Sequence, residues 1–241
     1  MVILHHDLTH SPVALWQLNG NLLDSSGNGY HMSALNGCTP KFFDIIPGLI
    51  GWSNQGASTP TEVIGISNPA SALRITGDLT IEALCAIGLA TGGGLDTLFR
   101  LGAATDAAAD NVLYALFVQA DTTTLTLQYI HESGSGVDRL FTTVNNLGAT
   151  GPIMHLALTR ISNVVRIYIN GELIHTSAAL VAPTGGTSTS AYLTFGAFFD
   201  GTNRHGSRWA SIKIISSGLS DADVLAEYNR TLGQHYPVII P

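Results

Sequence analysis

Charge is what this chain has least of. Asp, Glu, Lys and Arg make up 11 % of its 241 residues, against a usual share of about 25 %. Lysine occurs twice, at Lys41 and Lys213. The ten basic residues form no run, and the net charge is −7. A chain that neutralises phosphates carries a basic stripe, so nucleic-acid binding and adhesion to an anionic membrane are not expected. Long apolar runs are missing too. No stretch approaches the roughly 18 uninterrupted apolar residues of a spanning helix, so no membrane insertion is expected. The opening Met-Val-Ile-Leu-His-His-Asp has no basic n-region, no sustained apolar h-region and no small-residue cleavage site. It reads as a native start without a secretory leader. Cys38 and Cys85 are the only cysteines. They form no Cys-x-x-Cys pair and read as two free buried thiols rather than a disulfide framework.

What is present is apolar, small and uncharged-polar. Hydrophobic residues make up 45 % and there are 26 glycines. That excludes a charged disordered chain and a heptad-built coiled coil. Strand patterns dominate. Residues 78–87 alternate through Leu79, Ile81, Ala83, Cys85 and Ile87. Further strands are expected at 13–18, 95–101, 111–119, 124–131, 139–144, 153–161, 164–169, 172–176, 192–197 and 208–215. Asn170-Gly171 between two apolar alternations predicts a type I′ hairpin, because both turn positions need positive φ. A second hairpin is expected through residues 120–124. Ser220 caps the one convincing helix, 221–230, with Asp221 and Asp223 in its first turn. Leu219, Ala222, Leu225 and Ala226 are expected to face the body. The domain reading is an N-terminal arm over 1–11, one domain over 12–232 and a tail over 233–241. The tail's Tyr236-Pro-Val-Ile-Ile-Pro241 end is expected to anchor a homo-oligomer or a lattice contact.

Four segments, in order, resemble the laminin-G-like, concanavalin-A-like jelly-roll family. They are Ala14–His31 with its Asp-Ser-Ser-Gly-Asn-Gly turn, Gly77–Leu84, His155–Arg160 with Val165–Leu173, and Gly218–Tyr228. The resemblance implies an all-β fold: an antiparallel two-sheet jelly-roll sandwich with one short C-terminal helix. The family hosts lectins, glucanases, adhesion domains and virion proteins, so the site must decide the function.

Hydrolysis of glycosides needs two carboxylates at a set separation. The five glutamates are Glu62, Glu82, Glu132, Glu172 and Glu227, and none has an acidic neighbour two or three residues away. Asp78 and Glu82 share a strand face at about 13 Å, too far for either stereochemical course. No nucleophile elbow, zinc-protease helix or phosphate loop is present. The chain is therefore expected not to be an enzyme. The His5, His6 and His10 group lacks a carboxylate or thiolate context and reads as part of the arm. The resemblance makes Asp24 and Asn28 candidate calcium ligands. Ala210 and Ser211 stand where the family carries two aspartates, so calcium is not favoured, no cofactor is expected, and Asp24, Ser25 and Asn28 read instead as an Asx-type turn. For a glycan, Phe199 supplies a stacking face, and Asp200, Asn203, Arg204 and His205 supply hydroxyl-reading groups. His131 is a further candidate. Trp16, Trp52 and Trp209 read as core.

Two function classes follow. The first is a non-catalytic virion surface protein, a phage capsid decoration or tail subunit made in the host cytoplasm. Its partners would be other virion proteins, further copies of itself and host-cell glycans. Low surface charge suits such packed contacts. The alternative is a free-standing extracellular lectin, or an accessory module of a secreted glycoside hydrolase.

Overall fold

The structure is a computed structural model. It describes residues 10–35, 37, 39–46, 49–53, 63–90, 96–103, 112–120, 124–133, 136–145, 153–184, 191–197 and 205–233. Among the described residues, fifteen strands form two antiparallel sheets. Sheet A contains β1 (Ala14–Trp16), β3 (Phe42–Ile46), β4 (Leu49–Ser53), β6 (Leu79–Ala90), β11 (Met154–Ile161), β12 (Val164–Ile169), β13 (Glu172–Ala179) and β15 (His205–Ile215). Its order is β13-β12-β11-β6-β15-β4-β3, with β1 also on β15. Sheet B contains β2 (Ser33–Leu35), β5 (Val63–Ser67), β7 (Asp96–Ala103), β8 (Val112–Ala120), β9 (Thr124–Ser133), β10 (Gly136–Asn145) and β14 (Ala191–Phe195). Its order is β10-β9-β8-β7-β14-β5-β2. One helix, α1 (Asp221–Tyr228), follows β15 and runs into a wider turn over Asn229–Gly233. This is the expected jelly-roll sandwich.

Alternation decides what is inside. Leu79, Ile81, Ala83, Cys85 and Ile87 of β6 join one core between the sheets. Leu156 and Leu158 of β11 and Ile212 and Ile214 of β15 meet them there. The three tryptophans are wholly buried in this core. Trp52 and Trp209 are direct cross-strand partners, and Phe195 of sheet B lies against both Trp16 and Trp209. Cys85 is a free, buried thiol, pushed up to about 12 by that burial. Cys38 lies outside the described residues.

The Asn170-Gly171 turn has φ of 53° and 78°, the geometry a type I′ turn requires. The β8–β9 hairpin also forms, with Ala115 opposite Ile130. β2, β3, β4 and β5 were not among the expected strands. Each is only 3–5 residues long, and β4 and β5 contain glycine, so no alternation marks them.

Ser220 caps α1 as expected. Its hydroxyl accepts from the Asp223 amide, and the Asp223 carboxylate accepts from the Ser220 amide, a closed capping box. The buried stripe of the helix differs from expectation. Ala222, Leu225 and Ala226 are exposed, and the helix buries Val224 and Glu227 instead. A glutamate is counted as polar in any hydrophobic pattern, so the pattern selected the wrong face.

Candidate functional site

Phe199, Asp200, Asn203 and Arg204 lie outside the described residues. His205 opens β15, opposite Ala90 near the end of β6. His131 belongs elsewhere. The register Leu193–Leu101–Tyr114 puts it in the row of Leu193, three strands across from β14, or about 14 Å sideways at the usual strand spacing. It is fully buried. Its Nε2 lies 2.7 Å from the Val181 carbonyl, and its ring stands edge-on to Tyr129. The expectation that His131 reads a glycan is therefore corrected: it faces the core, on the same side of β9 as Tyr129, and presents nothing to solvent.

Asp24 pairs with Trp16 in an isolated bridge and is buried. One carboxylate oxygen accepts from the Leu15 and Ser26 amides at 3.0 and 2.9 Å. The other accepts from the Ser26 hydroxyl and the Tyr30 amide at 2.8 and 2.9 Å. A carboxylate offers about four acceptor sites, so all are spent. Burial alone would raise its pKa, but the donors from Leu15, Ser26 and Tyr30 outweigh it and hold the group below its usual range. Asn28 turns its amide nitrogen toward the Val13 and Pro12 carbonyls. The arrangement is an Asx-type turn that ties the 24–30 loop to β1. Ser211 and Ala210 are buried in β15, and Ser211 borders a different cluster.

That cluster lies on the outer face of sheet A, beneath α1. Glu82 of β6 and Lys213 of β15 are direct cross-strand partners, both pointing away from the main core. Lys213 Nζ lies 2.6 Å from Glu82 Oε2 and 3.0 Å from Glu227 Oε2 of α1. His155 Nε2 of β11 lies 3.5 Å from Glu82 Oε1. Arg230 reaches Glu227 Oε1 at 3.2 Å from the half-exposed side. All four inner groups are at most 4 % exposed. They line a cavity of about 10 Å³ with Ser211 and Thr231, room for about one water molecule.

The two carboxylates respond oppositely. Burial pushes Glu82 up, but the His155 hydrogen bond and the Lys213 charge hold it at about 2. Glu227 is raised, because burial and the Glu82 charge outweigh its share of Lys213. The Glu82–Glu227 pair was missed at sequence level because its members lie far apart in the chain. The available signal was a Glu and one of two lysines, both at outward positions of central strands ahead of a helix. Sealed under α1 and neutralised by a lysine, these carboxylates are not presented to a sugar.

No family model matches the chain, and no curated protein does. Solved structures match in fold. The binding domain of Paraclostridial Mosquitocidal Protein 1 aligns at TM-score 0.68 and 15 % identity, over 92 % of this chain and 53 % of that one. The fold is one that toxin binding domains carry. The binding domain of botulinum neurotoxin DC, solved in complex with rat synaptotagmin II, aligns at 0.67 and 15 % identity, over 94 % and 53 %. The same domain in complex with SialylT aligns at 0.65 and 14 % identity, over 92 % and 51 %. The chain spans about half the length of these structures. At such identities the likeness concerns fold. The laminin-G-like resemblance holds at that level, and no family model supports membership.

Proposed function

We propose that this chain is a non-catalytic recognition module that binds a glycan or a glycan-bearing receptor. The observation that carries this reading is the fate of the buried acidic groups among the described residues. Glu82 and Glu227 are sealed around Lys213, and all four acceptor sites of Asp24 are used by its own turn. General acid–base work on a sugar needs carboxyl groups in reach of the bond. The fold likeness to toxin binding domains, one of them solved both in complex with rat synaptotagmin II and in complex with SialylT, supports the same reading. Within it, Phe199, Asp200, Asn203, Arg204 and His205, which lie between β14 and β15 in the chain or at the start of β15, are the proposed recognition residues. Placement on a virion surface, as a decoration or tail subunit, is the finer proposal, and it draws on the low charge of the chain.

A glycan array probed with the labelled full chain tests this. Saturable binding to a subset of glycans is expected, weakened at least about tenfold in Arg204→Ala, the cost of one charge-assisted contact. Incubation with the bound glycans should release no reducing sugar. Binding to no glycan, or sugar release that disappears in Glu132→Gln, overturns the reading.

A further inference from the structure

We propose that α1 is a proton-linked latch on sheet A, with Glu227 as the group that takes up the proton when the helix is docked. The helix is held at two places. Near its start, Tyr168 donates to Asp221 at 2.8 Å, and Leu219 and Val224 pack with Ala157, Tyr168 and Ile215. Near its end the hold passes through a buried polar cluster. Glu227 enters the sealed cluster, while Tyr228 and Leu232 cover Ile45, Leu49, Leu84, Ile153 and Ala210.

The groups facing Glu227 come from every neighbouring element. They are Lys213 of β15, Glu82 of β6, His155 of β11 and Arg230 of the following turn. One buried ammonium serves two buried carboxylates, the shorter contact belongs to Glu82, and the second cation on Glu227, Arg230, stands at the half-exposed side where water screens it. Glu227 is therefore the carboxylate whose charge is less fully compensated on docking. Burial raises its pKa in the docked state. With the helix lifted off, Glu227 stands in water near the ordinary value of 4.5.

Linkage then fixes the sign. Between 4.5 and the raised docked value, closing takes up one proton and opening releases it. Each pH unit of increase within that window weakens closure by up to about tenfold. Above the docked value both states are ionised, and the closing equilibrium levels off. The latch is tightest in mild acid and loosest at high pH, and opening bares the apolar strip around Leu84 and Ile153.

Hydrogen exchange of the α1 amides, corrected for intrinsic pH dependence and followed from about pH 5 to 8 on the full chain, reads this directly. Protection should fall several-fold as pH rises and then level. Glu227→Gln should give high protection with no such slope. Arg230→Gln, at a half-exposed position and safe for folding, removes a cation that favours the anion and should move the fall to higher pH. A flat wild-type profile, a slope that survives Glu227→Gln, an unmoved profile in Arg230→Gln, or a slope abolished by His155→Gln each overturns the proposal.

Discussion

Glu82 shows how one residue carries stability that depends on pH. Its docked carboxyl titrates at about 2, against an ordinary 4.5. The folded value is depressed, so the contribution is fully present above 4.5 and is lost as pH falls towards 2. Urea unfolding at stepped pH should therefore show stability declining over that interval, less steeply in Glu82→Gln. At neutral pH the same substitution should cost about 3–5 kcal/mol, because it leaves Lys213 buried with half its compensation. This acid loss lies below the window in which Glu227 tightens the helix, so the two effects separate on one titration. Asp24 makes a second residue-scale case. Asp24→Ala strips acceptors from three amides and a hydroxyl, which should cost about 3 kcal/mol, the penalty of one or two buried donors left bare. Excess chelator should leave the wild-type Tm unchanged, since the acceptor sites are filled by the protein. A Tm drop of many degrees on chelation, restored by calcium, would reveal a cation site at this turn.

At the scale of elements, local chemistry sets the ends and pairing sets the rest. Ser220→Ala removes half of the capping box and should cost about 1 kcal/mol, with the loss read as reduced protection of the first turn of α1. Gly171→Ala puts a Cβ at φ 78° against Leu225 and Tyr228, so the β12–β13 hairpin should weaken by at least about 1 kcal/mol. Both features were legible because their signals are short and specific: a Ser with an Asp three residues on, and an Asn-Gly between alternating strands. Most long strands were legible through alternation over 6–12 residues. The short strands β2 to β5 were not, since their pairing comes from partners distant in the chain, such as Ala34 on Ile64. The buried side of α1 was misread for a related reason. What selects it is Lys213, a residue of another element, and no helical period contains that information. His131 failed likewise. It is polar, but its strand face is set by alternation with the core residue Tyr129 on the same strand rather than by its own chemistry.

Across the whole molecule, one sheet must be held to the other at the end away from the start of β15. Apolar burial does most of this work, but the core there is closed by Arg160 of β11, which is wholly buried. Its guanidinium donates to the Gly77 carbonyl from Nε and to the Ile75 and Gly77 carbonyls from Nη2, at 2.7–2.9 Å. From Nη1 it donates to the Tyr129 hydroxyl of sheet B at 3.0 Å. One planar fork thus ties sheet A, the segment leading into β6 and sheet B together, with oxygen dipoles rather than a carboxylate facing the charge. Arg160→Met keeps the length and apolar stem but deprives those oxygens of their donor. The expected loss is about 3 kcal/mol, since hydrogen bonds to a charged group contribute about 1.5–3 kcal/mol each and part is recovered by hydration of the freed carbonyls. Arg160→Lys should recover only a fraction, because a point charge cannot reach the Ile75, Gly77 and Tyr129 oxygens in one geometry. Urea denaturation should report a lower midpoint with an unchanged slope in both variants, the pattern of lost stability without a change in the surface exposed. If Arg160→Met unfolds at the wild-type midpoint, the sheets are held at that end by apolar contact alone and the fork is incidental.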